Sequence, residues 1–182
     1  MGCIRSLLRA CLCALSLPAT AAAQGYSAEL YGMALPPADS TAVAPDSLST
    51  TLGFGVYTDR VFNGFLVGVD MMSTGTPHGS LPDETVDRLS LMAVLRRDFQ
   101  LGDALTLYAG AGVGAVRDSF SLAGTEDTAT ALGGQVMLGM RYGLGDSVSA
   151  FGEVKYQAAD AGTETPGTPG SGAALVGLQF GF

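Results

Sequence analysis

The feature that most constrains this chain is a strict alternation of apolar with small or polar residues, which is clearest over residues 172–182. Counting back from the C-terminus in steps of two gives only apolar side chains: Phe182, Phe180, Leu178, Val176 and Ala174. The residues between them are Gly, Gln or Ala, apart from Leu175. A period of two predicts a β-strand with one apolar face.

The same alternation recurs in seven earlier segments. The eight segments span residues 26–33, 50–57, 65–72, 88–96, 104–116, 131–142, 148–157 and 172–182. Their length is close to the ~10 residues of a membrane-crossing strand. A helical crossing is excluded, because no apolar run after residue 23 approaches the ~20 residues that it needs. We therefore predict an all-β fold: an eight-stranded antiparallel up-and-down transmembrane β-barrel, in which the last strand pairs with the first.

Long and short connections alternate along the chain. The long ones are residues 36–49, 73–87, 117–130 and 158–171, and the short ones are 58–64, 97–103 and 143–147. Asn63-Gly64 in the first short connection is a strong signal for a two-residue hairpin turn. Outer-membrane barrels place long loops outside the cell and short turns in the periplasm. We therefore expect both termini in the periplasm and four extracellular loops.

Residues 1–23 have the pattern of a secretory signal peptide. Two arginines precede an apolar stretch at residues 10–17, and three alanines precede Gln24. We predict cleavage after Ala23, which leaves residues 24–182 as the barrel domain. All three cysteines lie in the leader, so the mature chain has no thiol for a disulfide, a metal site or a nucleophile.

The charge of the chain argues against nucleic acid, and against anionic lipid headgroups bound directly, as partners. The net charge is −8. Without the two leader arginines, 7 basic and 17 acidic residues remain, a net charge of −10. A chain this acidic is repelled by phosphate backbones.

The inward-facing positions of the predicted strands carry charges that we predict to form a lumen network. Its members are Glu29, Asp70, Arg88, Arg96, Arg141, Glu153 and Lys155. An eight-stranded barrel has an interior that side chains just fill, and a lone buried charge is costly. We therefore expect these charges to pair across a plugged lumen. Glycines at 110, 112 and 114 are expected to make room for larger side chains such as Tyr57 and Phe151.

Two further patterns are candidates for binding sites. Residues 110–115 fit the G-x-G-x-x-A fingerprint of dinucleotide sites, but a strand end and loop follow where that motif needs a helix. We therefore predict no cofactor. The long loops carry ten acidic residues: Asp39, Asp46, Asp83, Glu84, Asp87, Asp118, Glu126, Asp127, Asp160 and Glu164. A hydrated, soluble crown is the favoured interpretation, and weak divalent-cation binding is the less favoured one. Because the ligand spacing of an EF-hand loop is missing, we predict no metal site.

The alternating segments, the Tyr108–Gly114 strand and the ending Gly177–Phe182 give the chain a family likeness. It resembles the small eight-stranded outer-membrane β-barrel proteins of Gram-negative bacteria, the opacity/Ail/OmpX-like group of porin-family barrels. The resemblance implies outer-membrane lipid and lipopolysaccharide as surroundings, and periplasmic chaperones and the barrel-assembly machinery as partners during biogenesis. Gly177, Phe180 and Phe182 would form the C-terminal assembly signal. A monomer is expected.

The function that we predict is that of a non-enzymatic surface barrel with a role in envelope integrity or in surface interaction and adhesion. A second hypothesis is a lipid A-modifying hydrolase that uses His78 and Ser80, since some outer-membrane barrels are lipid A esterases with a His-x-Ser pair. A solvated loop histidine is the favoured interpretation, because nothing in the sequence orients this one. A narrow channel and a soluble periplasmic barrel are the third and fourth hypotheses.

Overall fold

The computed structural model describes residues 25–35, 49–58, 64–77, 85–122, 125–160 and 170–182. They form eight strands: β1 (Tyr26–Leu35), β2 (Ser49–Thr58), β3 (Phe65–Pro77), β4 (Thr85–Gln100), β5 (Leu105–Leu122), β6 (Thr125–Gly143), β7 (Val148–Ala159) and β8 (Gly170–Gly181). The predicted signal peptide (1–23) lies outside the described residues. Within them, no helix is long and apolar enough to cross a membrane.

The strands form a closed antiparallel barrel, as predicted. Each strand pairs with the next along the chain, and β1 pairs with β8. The seam places Leu30 opposite Leu178 and Ser27 opposite Gly181. One residue further, the Phe182 N–H donates a hydrogen bond to the Tyr26 carbonyl at 2.9 Å. Where every strand has two neighbours, closure removes the exposed strand edges that an open sheet would present.

The two faces of the barrel differ as the alternation predicts. Outward-facing Leu138 is 55 % exposed, whereas its neighbour Met137 is 4 % exposed. In β8, Leu178 lies on the outer surface and Leu175 is buried inside, and Phe182, directly after β8, is also on the outer surface. An apolar outer belt of this kind is what a barrel in a bilayer presents to hydrocarbon, and the inner side chains form the core.

The structure has two ends. We call the edge with Gly25, Phe182 and the short turns the termini end, and the opposite edge the loop end. At the termini end, Gly64 has a φ of 83°, the left-handed conformation that the predicted Asn63-Gly64 turn requires. Asn63 itself lies outside the described residues.

The prediction of a loop at residues 117–130 is wrong. Here β5 and β6 continue as a ladder with Arg117 opposite Thr130 and Ser119 opposite Thr128. β3 and β4 also extend into a predicted connection, since Pro77 pairs with Thr85. The residues of these stretches form strands because each added pair continues the backbone hydrogen bonding of the ladder, which does not require an apolar face.

In the described part of the chain, one wall of the barrel therefore projects beyond the other at the loop end. β6 pairs with β5 from Thr125 onward, but its pairing with β7 begins at Gly133. A hydrogen bond from the Asp160 N–H to the Leu132 carbonyl extends that contact by one residue. Residues 125–131 of β6, the β6 edge segment, thus have no neighbouring strand on the β7 side among the residues described. The projecting wall comprises the ends of β3, β4, β5 and β6.

Candidate functional site

The first of two buried ionic groups in the lumen is built around Arg96 of β4. Its side chain is wholly buried, and its Nη1 donates a hydrogen bond to Oε1 of Glu29 on β1. Its Nε lies 3.2 Å from Oδ1 of Asp98. The guanidinium carbon is 4.1 Å from the ring centroid of Tyr57 and 4.7 Å from that of Tyr108. Two carboxylates and two aromatic faces therefore offset the loss of hydration of this charge.

The second group is built around Lys155 of β7. Its Nζ lies 2.7 Å from Oδ2 of Asp70 on β3 and 3.2 Å from Oε1 of Glu153. The Tyr31 hydroxyl donates to Oδ1 of Asp70 at 2.6 Å and accepts a hydrogen bond from Lys155 at 3.1 Å. Lys155, Asp70 and Glu153 are all within a few per cent of complete burial. These charges can be buried because each lies beside an opposite charge.

Glutamine side chains of neighbouring strands extend the hydrogen bonding of these ionic groups. Gln135 donates to Asp70 at 3.0 Å, and Gln157 donates to Gln135 at 2.9 Å. Nearer the seam, Gln179 donates to Glu29 at 3.0 Å. The network therefore connects strands on all sides of the lumen and fixes the side chains that fill it.

The last two predicted network residues lie near the two ends. Arg88 donates from Nε and Nη2 to both carboxylate oxygens of Asp118, at 2.7 and 2.9 Å, near the loop end. Arg141 donates to Oδ2 of Asp98 at 2.6 Å near the termini end. All seven predicted residues thus face the lumen, and each contacts an opposite charge.

Asp98 and Asp118 also belong to the network, although the sequence pattern placed both in connections. Both have the inward parity of the strand that precedes them: Asp98 follows Arg96 by two positions, and Asp118 follows Val116 by two. Extending the alternation by two residues would have found both.

Two apolar clusters fill the rest of the lumen. One contains Tyr57, Leu66, Met92, Val94, Val116 and Met137. The other contains Tyr31, Met72, Tyr108, Phe151 and Leu175. Edge-to-face contacts join Phe151 to Tyr31 and to Tyr108, with ring centroids 6.3 and 6.5 Å apart. Ionic groups and apolar clusters together occupy the lumen with side chains.

The glycines that accommodate the aromatic rings are not the ones expected. A Cβ on Gly68 would meet the Tyr57 ring, and one on Gly177 would meet the Phe151 ring. A Cβ on Gly110 would instead meet Met137. Gly110 and Gly112 thus make room for larger side chains, Met137 and Gln135, but the expectation that these partners include Tyr57 and Phe151 is wrong. Which side chain lies over a glycine depends on the neighbouring strands, which the sequence of one strand does not identify.

The candidate binding features are a polar recess and the motifs noted in the sequence. A polar recess of about 410 Å³ at the termini end is lined in part by Asp98, Arg141 and Gln179, all partners in the network. No cluster of three or more metal-ligating residues occurs within the described ranges. Residues 110–115, the formal dinucleotide motif, lie inside β5. His78 and Ser80, the proposed hydrolase pair, lie outside the described residues.

The three residues of the predicted assembly signal lie on or beside the seam. Phe180 pairs with Ala28 of β1 and faces outward, and Phe182 is 71 % exposed at the termini end. Gly177 faces inward beneath the Phe151 ring. The two aromatics thus contribute to the outer surface and the glycine to lumen packing.

The sequence matches the family model described as "Outer membrane protein beta-barrel domain" over residues 7–182. The chain belongs to this family. It is an outer-membrane β-barrel. No curated protein matches the sequence.

Solved barrels of this kind have the same fold. The chain is similar to Neisserial surface protein A, with 19 % identity, a TM-score of 0.64, and coverage of 86 % of this chain and 96 % of that one. It is also similar to Ail of Yersinia pestis, solved with the heparin analogue sucrose octasulfate, with 16 % identity, a TM-score of 0.58, and coverage of 87 % and 99 %. The outer membrane enzyme PagL matches with 15 % identity, a TM-score of 0.53, and coverage of 86 % and 99 %. At these identities the likeness concerns the fold alone, and the fold does not decide whether a barrel is an enzyme.

Proposed function

We propose that this barrel is a non-enzymatic surface protein whose projecting wall engages a polypeptide partner outside the cell. The observation that carries the proposal is the β6 edge segment, a strand edge that extends beyond the end of β7 at the loop end. A strand edge presents unpaired N–H and C=O groups to which an extended peptide can add as a further strand.

The direction of the backbone groups supports this mode of binding. Leu132 directs its carbonyl toward the β7 side, where Asp160 binds it. Because successive residues of a strand alternate, Thr130 and Thr128 direct their N–H and C=O groups to the same side. The Thr128 N–H is occupied by the carboxylate of the adjacent Asp127 at 2.8 Å, a local contact that an incoming strand can replace.

We also propose an orientation of the barrel. The loop end faces outside and the termini end faces the periplasm, which agrees with the short turns at residues 101–104 and 144–147 on the termini side. Phe180 and Phe182 then lie on the periplasmic side, from which chaperones and the assembly machinery act. Lipopolysaccharide surrounds the base of the projecting wall. The barrel functions as a monomer.

The filled lumen supports a role other than transport. Arg96 and Lys155, with the carboxylates and rings around them, occupy the positions through which a solute would pass. Moving these side chains would separate buried opposite charges, which costs several kcal/mol. The surface of the barrel, rather than its interior, is therefore the functional part.

The test removes the projecting hairpin and keeps the barrel. Residues 119–128 are replaced by Asn-Gly, so that Asp118 and Ala129, which already face each other, flank a two-residue turn. Both proteins are purified in lipid nanodiscs and applied to an array of immobilised peptides that cover diverse sequences in extended form. We expect the intact barrel to bind a subset of the peptides and the shortened barrel to bind none.

Asp127→Asn, which leaves the hairpin in place, is the matched control and should keep the binding. Equal binding by the intact and shortened barrels, or no binding by either, contradicts the proposal. The shift of apparent size on a gel between unheated and heated samples checks that each variant is folded.

The lipid A hydrolase is tested separately. Lipid A from a strain that lacks the protein is compared by mass spectrometry with lipid A from strains carrying the wild type or His78→Ala. We expect identical acyl compositions. An acyl chain removed only in the presence of His78 would contradict the non-enzymatic proposal.

A further inference from the structure

Outward-facing aromatic side chains on five of the eight strands form a partial ring around the outer surface near the termini end. Tyr26, Phe65, Phe99, Tyr142, Phe180 and Phe182 all have outward parity near that edge. Such rings mark the level at which the hydrocarbon of a bilayer gives way to lipid headgroups. The termini-end aromatic ring therefore fixes where the interface crosses β4.

Arg97 of β4 lies within this ring and also points outward. It pairs with Phe65 in the sheet and is two positions from Phe99. Its guanidinium carbon is 5.3 Å from the Phe65 ring centroid and 5.5 Å from that of Phe99. Both distances are within the range of a cation–π contact.

Arg97 differs from the other strand arginines near this end in having no acidic partner. Arg96 and Arg141 contact carboxylates in the lumen. No carboxylate lies within 4 Å of Arg97 among the residues described. Since an interfacial arginine is always charged, its N–H groups require an acceptor from the surroundings.

We propose that Arg97, held between Phe65 and Phe99, is a binding site for the phosphate of a membrane phospholipid at the termini end. The rings provide aromatic faces for the cation and displace water around it. A guanidinium presents several N–H donors that match the oxygens of a phosphate, and phosphate groups are the abundant anions at this depth. The site binds one headgroup and fixes the height of β4 in the bilayer.

The test measures the number of lipids that remain bound to the folded barrel. The protein is purified in detergent micelles doped with phosphatidylglycerol, and native mass spectrometry counts the lipid adducts. We expect Arg97→Gln to raise the dissociation constant of the most tightly bound lipid about tenfold, which is the effect of losing a charged hydrogen-bond partner. The double substitution of Phe65 and Phe99 by Leu should raise it less, and Arg97→Lys should retain part of the binding.

Arg117→Gln is the matched control, because Arg117 is an exposed, outward-facing arginine of β5 at the loop end. It should leave the tightest adduct unchanged. Diacylglycerol, which has the same acyl chains without a phosphate, should give no adduct that depends on Arg97. An equal loss in both arginine variants, or equal retention of diacylglycerol, would overturn the proposal.

A competition experiment with inorganic phosphate distinguishes a lipid headgroup from free phosphate as the ligand. Millimolar inorganic phosphate should not displace the adduct, because acyl chains and headgroup bind together. Displacement by inorganic phosphate alone would contradict a lipid site. All variants are first checked for the heat-dependent gel shift of the closed barrel.

Discussion

At the scale of single residues, the buried charge of Arg96 is balanced by carboxylates inside the lumen. We predict that Arg96→Met lowers the free energy of unfolding by about 3 kcal/mol, because Glu29 then remains buried without its cation. The double variant with Glu29→Gln should recover most of the loss, since both charges are gone. Urea titration of the barrel in lipid vesicles, followed by gel shift, measures the difference.

The control for this prediction is Arg88→Met. The pair that Arg88 forms with Asp118 is partly open to solvent, with 13 % and 15 % of the two side chains exposed. Its loss should reduce stability by about 1 kcal/mol or less. If Arg96→Met and Arg88→Met lower the free energy of unfolding equally, burial is not the reason that the Arg96 pair stabilises the barrel.

Gly139 of β6 gives a second prediction at this scale. A Cβ there would overlap the Tyr108 ring, so Gly139→Ala should destabilise the barrel by about 1–3 kcal/mol through overpacking. Gly134→Ala on the same strand is the matched control, because its nearest neighbour would be 3.6 Å away. The same urea titration compares them. Adding Tyr108→Leu should relieve the overlap, and a failure to do so would assign the defect to the backbone.

At the scale of elements, the projecting wall predicts a pattern of amide exchange. Ala129 and Ala131 direct their N–H groups toward β5, whereas Thr130 directs its N–H away from it. We expect the Thr130 amide to exchange with deuterium faster than those of Ala129 and Ala131, measured by NMR of the barrel in micelles. Equal protection of all three would mean that another segment covers the β6 edge segment.

The alternation predicts strands well where one face meets lipid, and it fails where both faces meet water. In residues 131–142 the apolar outer positions show that the segment is a strand and which of its faces points outward. In residues 117–130 the ladder continues, but polar residues occupy both faces and the period of two disappears. The same limit explains why Asp118 was assigned to a loop. Register and strand pairing decide the partners of Arg96 and Tyr57, and neither can be obtained from the pattern of a single strand.

At the scale of the whole molecule, the last residues have two separable roles: they help to close the barrel, and they are predicted to direct its assembly. The seam between β1 and β8 holds the barrel closed, and Phe180 and Phe182 lie on its outer surface. We predict that replacing both by Ala lowers the amount assembled in cells severalfold, if they act as the assembly signal. The same variant, refolded from urea into micelles, should still close, as measured by the heat-dependent gel shift. Failure to close in micelles would assign the effect to stability instead.

The filled lumen predicts that the barrel does not conduct ions steadily. Tyr57 and Tyr108 lie against Arg96 at one level of the lumen, and Lys155 lies with Asp70 and Tyr31 in the second ionic group. In planar bilayers we expect no stable openings from the wild type. Tyr57→Ala with Tyr108→Ala should produce small, flickering currents, because removing two rings leaves room for water beside a charged group. Steady openings of the wild type would mean that these ion pairs exchange partners readily. Silence of the double variant would mean that the second ionic group is sufficient to close the lumen.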